Sequence, residues 1–254
     1  MKMKKLIRRA QAELLKMKHT FLFPLHVAMP VLASGIVLLY YRHTRANELG
    51  QITAFLELIA IALPFVISIV CAENIGLEEQ NHFQVFLGGY QKKWQAFAVK
   101  CIVLIGLGVI AIAGAIILFG LGYHFLLNKE GLAGGDYLLL SVFLFFGSIP
   151  LYLEHISVSL LFSKTASECS GVVETIFSAL MLTGLGNGRW QFFPCTWSAR
   201  GIGLMANIFY REEMSSVYLP ELKKTVLICP LLLLIICVII GIRFYHYEGR
   251  QCND

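Results

Sequence analysis

Few residues of this chain could do chemistry, and several of them stand where an ionised group is costly. Glu57, Glu154 and His155 each lie within an apolar run long enough to cross a bilayer, and a charge held in hydrocarbon is usually paired or functional. Glu57, near the outer end of its run, reads either as a carboxylate lining a lateral opening or as an interfacial group snorkelling to water. Glu154 and His155 are adjacent, so on a helix they point about 100° apart and cannot both face one groove squarely. A structural pair hydrogen-bonded to other helices is the favoured expectation, ahead of a proton relay or a substrate contact. Glu174 reads as an interfacial carboxylate near the inner end of the next run.

Catalytic patterns fail on count. Glu79-x-x-His82 is a single ExxH, whereas a di-iron bundle needs two such pairs and two further carboxylates. H-E-x-x-H and G-x-S-x-G do not occur, which excludes those zinc-protease and serine-hydrolase signatures. The cluster Gly184-Leu-Gly186-Asn-Gly188 lacks the following Lys-Ser or Lys-Thr of a phosphate-binding loop. Cysteines 71, 101, 169, 195, 229, 237 and 252 form no CxxC and fall mostly in apolar runs, so they read as small core residues and not as a disulfide framework or metal site. The chain is expected to have no catalytic residue, metal or cofactor of its own.

The elements that position these residues are helices in a membrane. Of 254 residues, 57% are hydrophobic and 15% charged, and the mean hydropathy is +0.70, values of a polytopic all-α membrane protein. Residues 1–19 carry seven Lys and Arg against Glu13, with Met3, Leu6, Ile7, Ala10, Leu14 and Met17 on one stripe, the pattern of a basic amphipathic helix on an anionic membrane face. Apolar runs at 20–41, 52–72, 95–127, 137–162, 171–185 and 225–242 give six spans. The polar SKTASECS joins the fourth to the fifth, and a long, partly re-entrant outer connection at 186–224 precedes the sixth. Neither repeat nor linker divides the sequence, so 1–254 is one domain.

The one long polar interruption in the first half is 73–94. Glu73, Glu78 and Glu79 open it, and Phe83, Phe86, Leu87, Tyr90, Trp94 and Phe97 follow at helical spacing, broken at Gly88-Gly89. With both termini inside, thirteen of the 21 Lys and Arg fall on the cytoplasmic side, so this stretch and both termini are expected in the cytoplasm. The net charge of +5 therefore speaks of membrane orientation and not of nucleic acid.

This layout resembles the permeases of type-2 ABC exporters, and more narrowly the lantibiotic immunity permeases of the MutG/LanG kind. The local resemblance rests on Glu73-x-x-Gly76, Phe86-Leu87, Lys92-Lys93-Trp94 and Lys100, and on the outer segment from Phe193-Pro194 through Trp197 to Arg200. It implies a bacterial plasma-membrane subunit that expels a membrane-bound cationic antimicrobial peptide, with ATP and Mg on a separate ATP-binding subunit and a second permease, identical or related, beside it. It further implies an ATPase-coupling helix at 73–87, in which Phe83, Phe86 and Leu87 are apolar knobs and Glu73, Glu78 and Glu79 charged partners, with Gly76 and His82 in the same element. Glu57, Trp190, Trp197 and Arg200 are candidate contacts for the peptide or for lipid headgroups, or plain membrane anchors. Export of another cargo, such as a drug, lipid or bacitracin-like peptide, is the alternative. Glu78-Glu79 is also similar to the glutamate pair of intramembrane prenyl-protein proteases, but it lacks the following arginine and lies outside a span; an intramembrane hydrolase is the rival of a different class.

Overall fold

A computed structural model describes residues 3–44, 46–88, 93–245 and 247. The chain is all-helical, with no strand among the described residues. The α-helices are α1 (Met3–Met17), α2 (Leu22–Tyr41), α3 (Glu48–Glu79), α4 (Gln84–Gly88), α5 (Lys93–Phe125), α6 (Gly134–Leu161), α7 (Lys164–Met181), α8 (Trp197–Tyr210) and α9 (Glu212–Tyr245). Three 3₁₀ turns, Gly184–Gly186, Trp190–Phe192 and Pro194–Thr196, fill the gap between α7 and α8. Five helices are long and apolar enough to cross a membrane: α2, α3, α5, α6 and α9 over Ser215–Tyr245. Helix α7, over the expected fifth span, has 18 residues and carries Lys164, Glu168 and Glu174.

Close approach of these helices depends on small residues, as expected where lipid offers no hydrophobic drive for helix association. A side chain at Gly108 would strike Tyr152, one at Gly122 Leu38, and one at Gly201 Phe143; these glycines seat α5 on α6, α2 on α5, and α8 on α6. Helix α7 lies antiparallel along α3. Lys164 touches Gly76, Gly171 meets the Pro64 carbonyl and Ser68, and Thr175 Oγ1 accepts the Phe65 amide at 3.2 Å. Proline 64 interrupts the regular ladder of α3, and α7 fills that interruption with a hydroxyl and a bare glycine. The polar SKTASECS is therefore not a loop. Ser163 accepts the Ala166 amide at 3.0 Å as an N-cap, and the segment forms the first turns of α7.

Helices α7 and α8 divide the length of α3 between them. The pairs above advance eleven residues on each helix, which carries the end of α7 only to about the level of residue 59 on α3. Beyond it, Gly203 of α8 faces Glu57. Against α6, Ser198 meets Gly147, and one turn further along α8 Gly201 meets Phe143. Helix α8 thus starts thirteen residues, about 20 Å, along α6 from Gly134 and climbs back toward that end. The second and third 3₁₀ turns bury Trp190, Gln191, Cys195 and Thr196, whereas Leu185, Phe192 and Phe193 are exposed.

Candidate functional site

Three polar groupings stand out. The first ties α1 to α3 and α5. Lys100 on α5 is 1% exposed, and its Nζ donates to Glu13 Oε2 at 2.9 Å, Asn74 Oδ1 at 2.7 Å and Glu78 Oε1 at 3.0 Å. Lys16 Nζ donates to Glu13 Oε1 and to Glu78 Oε1, each at 2.7 Å. Two carboxylates and two ammonium groups balance in charge, and the Lys100 ammonium also lies 5.7 Å from the centre of the Phe86 ring. Burial alone would raise the Glu13 carboxyl, but Lys100 and Lys16 outweigh it and hold it below its ordinary 4.5. Burial would lower Lys16, but hydrogen bonds to Glu13 and Glu78 lift it above 10.5. Sequence reasoning missed this knot. Its only signal was Glu13, a lone acid on a basic helix three residues before Lys16.

The knot corrects the expected coupling helix. Glu73, Gly76, Glu78 and Glu79 are not the start of a surface helix but the last turns of α3, which ends at Gln80–Phe83 and not at Gly88-Gly89; Gly89 lies outside the described residues. Glu78 is 1% exposed within the knot, and Phe83 and Phe86 are 2% and 1% exposed, so none of the three offers a surface to a partner. Phe86 packs edge-on to Phe244 of α9 at 6.0 Å between ring centres. Of the aromatic series, Phe83, Phe86 and Phe97 are buried in this chain, whereas Trp94 is exposed and Tyr90 lies outside the described residues. Of Leu87 only the backbone, in α4, is described. Glu73 pairs with Lys164 at 2.8 Å, and a side chain at Gly76 would meet the Lys164 ammonium at 2.9 Å. What stays exposed is Gln80, Asn81, His82 and Gln84, with Glu79 partly so. His82 and Phe83 have φ of 48° and 56°, a left-handed conformation costly for large side chains. The Phe83 amide reaches back to the Glu78 carbonyl at 2.9 Å, which caps α3 as a Schellman wrap does.

The second grouping sits in the interior. His155 on α6 is fully buried; its Nδ1 shares a hydrogen bond with Ser167 Oγ at 3.2 Å, and its Nε2 faces Glu174 Oε2 of α7 at 3.4 Å. Glu174 also accepts from Ser170 Oγ at 2.6 Å and lies within electrostatic range of Glu154. The interfacial reading of Glu174 is corrected: packed along α3, α7 turns this carboxylate onto His155 of α6. Although Glu154 and His155 point apart, Glu174 faces His155 and stays within electrostatic range of Glu154.

The third surrounds the break between α7 and α8. Trp190 donates from Nε1 to Glu221 Oε1 at 2.6 Å, and Trp197 to the Gln191 carbonyl at 2.8 Å. Both indoles are buried, so the expectation that they contact peptide or lipid headgroups, or stand as membrane anchors, is corrected: they pack with Leu204 and Ile208 of α8 and Cys229 of α9. Arg200 binds the Met181 and Thr183 carbonyls at 2.6 Å each and Asn187 Oδ1 at 2.8 Å. Its charge thus closes the carbonyl end of α7, where a helix dipole favours a cation. Gly186 permits that clamp, because a side chain there would strike the Met181 carbonyl. Glu57 is half-buried against α8 within the field of Arg200.

At the end of the bundle away from α1, Gln51 Oε1 accepts from Tyr123 at 2.6 Å and from Lys129 at 2.5 Å, and its Nε2 donates to the Thr44 carbonyl at 3.2 Å. Beside it, α5 and α6 frame a groove of about 520 Å³ with apolar walls, including Ile117, Leu121, Leu138 and Phe145, and with His124 and Glu130 in its lining. Among the described residues no group of three His, Cys, Asp or Glu could hold a metal, and the six described cysteines are free. Cys169 and Cys237 are exposed and so are not core residues.

The chain matches no family model, no curated protein and no solved structure. Its function is therefore read from its own residues.

Proposed function

We infer that the chain is the membrane subunit of an exporter driven by a separate ATP-binding protein, and that it crosses a bacterial plasma membrane six times with both termini in the cytoplasm. In this reading the fifth crossing is made in two pieces, α7 and then α8. The observation that carries the reading is the turn at Gln80–Gln84. It stands exposed at the end of the long helix α3, in a strained left-handed conformation, and is anchored by the buried Phe83 and Phe86 and by the Glu78–Lys100 knot beneath. Strain persists only where the surroundings over-determine it, and it clusters at functional sites. A rigid knob rooted in a membrane-length helix is suited to pass a partner's movement into the bundle. Gln80, Asn81, His82 and Gln84 are the partner-facing residues, and Glu78, Phe83 and Phe86 support them from below.

The cargo we propose is a cationic amphipathic peptide taken from the membrane, a lantibiotic by the resemblance above. Support comes from the groove between α5 and α6, whose apolar walls and Glu130 carboxylate suit an apolar segment carrying a positive group. Two experiments test the reading. An ATP-hydrolysing subunit should co-purify with the chain from its native host, and removing the chain should sensitise that host to cationic bacteriocins. Purification without any ATPase overturns the exporter class; unchanged sensitivity overturns the peptide cargo alone.

A further inference from the structure

Helix α1 is held to the bundle along one side. Arg9 Nη1 donates to Gln95 Oε1 of α5 at 2.9 Å, Glu13 and Lys16 enter the knot with Lys100 and Glu78, and Met17 is buried. Positions 6, 9, 10, 13, 16 and 17 are all buried or half-buried, at the three- and four-residue spacing of one helical face. The opposite face is as continuous. Lys4, Ile7, Arg8, Leu14, Leu15 and Lys18 recur at the same spacing, and every one of them is exposed. The apolar stripe of the sequence is thereby divided, with Leu6, Ala10 and Met17 against the protein and Ile7 and Leu14 turned away from it.

Cations interleaved with apolar side chains match a layer of anionic headgroups, in which the cations meet phosphates and the apolar groups sink between them. Among the described residues Lys4, Arg8 and Lys18 have neither an ion pair nor a hydrogen-bonded side-chain partner, and Glu13, the one acid of α1, is held in the knot. An acidic protein surface would satisfy the cations too, but the place of the face favours lipid. Only residues 18–21 separate α1 from α2, a helix of membrane length, and Phe21 and Phe23 at that junction are exposed. The Lys18 end of the face therefore stands where a span begins.

Two short steps link α1 to the turn at 80–84. Lys16 Nζ donates to Glu78 Oε1 at 2.7 Å. The carbonyl of the same Glu78 accepts the amides of Asn81 at 3.1 Å and Phe83 at 2.9 Å, the bonds that close the left-handed turn.

We propose that α1 docks on anionic lipid headgroups through Lys4, Arg8 and Lys18, and that this docking, carried by Lys16 to Glu78, sets the order of the 80–84 turn. The lipid face is independent of the exporter reading; only the use of that turn by an ATP-binding partner rests on it.

Hydrogen exchange of the full chain, with no partner present, tests this. Nanodiscs of phosphatidylcholine alone are compared with nanodiscs holding about 30% phosphatidylglycerol. Rates are taken relative to residues 128–130 at the opposite end of the bundle, which cancels the effect of surface charge on exchange itself. The anionic lipid should slow both α1 and the 80–84 turn by about tenfold, and a chain carrying Lys4→Gln, Arg8→Gln and Lys18→Gln should show no slowing. Those three residues are exposed and outside the knot, so their loss leaves the fold in place, and the wild-type comparison needs no variant. Unchanged exchange in α1, slowing of α1 that leaves the turn unchanged, or slowing that survives the triple substitution overturns the proposal. Slowing that appears only after the co-purified ATP-binding subunit is added also overturns it and assigns the face to that partner. Failure of the lipid effect leaves the exporter reading intact, and failure of an ATPase to co-purify leaves the lipid face intact.

Discussion

Lys100 carries more of the fold than any other charged residue. It is nearly sealed from solvent and touches three acceptors on two other helices, so replacing it by Met would leave Glu13 and Glu78 short of a counter-charge. Breaking a buried ion pair from one side costs about 3–5 kcal/mol, and a Lys100→Met chain should unfold in detergent with a loss of that order. A loss under about 1 kcal/mol, the scale of an exposed pair, would mean that the knot is solvated. The pH dependence follows from the two shifts. Glu13 is depressed on folding, so its contribution is complete above its ordinary 4.5 and is lost as pH falls through the lower folded value. Lys16 is raised, so its contribution is complete below 10.5 and is lost as pH rises through the higher folded value. Proteolysis of α1 should therefore be slow across neutral pH and accelerate on acidification below about pH 4.5. In the sequence Lys100 looked like one more cytoplasmic charge, because burial depends on helices 22 and 87 residues away along the chain.

At the scale of elements, the two ends of helices that the sequence misplaced were both decided by side chains reaching across space. Helix α3 runs on through Glu73–Glu79 because its carboxylates are neutralised by Lys16, Lys100 and Lys164, so acidic composition alone did not end it. It stops at His82 and Phe83, where no glycine marks the left-handed cap. His82→Gly removes that strain and should hold or raise thermal stability, by up to about 1 kcal/mol. The same change should weaken co-purification of the ATPase if the imidazole faces the partner; lower stability would show that the ring contributes to the fold. The break between α7 and α8 was legible only as a loosened pattern after Gly186, since buried tryptophans and surface anchors look alike in sequence. Arg200→Met frees the Met181 and Thr183 carbonyls and should cost about 1–3 kcal/mol, seen as faster hydrogen exchange at the end of α7. Exchange unchanged from wild type would argue that water already satisfies those carbonyls.

For the whole molecule, hydropathy made the all-helical class and most long helices readable, because bilayer length and apolar composition constrain those segments directly. It did not reveal that the chain between the fourth and last long helices is built from two shorter helices and partly buried turns. Discontinuous helices at depth are tolerated only where protein covers the free backbone, and here Trp190, Trp197, Thr196 and Arg200 provide that cover. In the proposed transport cycle, force enters at the Gln80–Gln84 turn, passes along α3, and meets this less regular region where Glu57 lies against α8. The most direct test is a photo-reactive amino acid placed at position 82 in the native host, with position 126, exposed at the opposite end of the bundle, as the control. The account predicts that position 82 captures an ATP-binding protein and position 126 does not. Capture from position 126, or from neither, would contradict it.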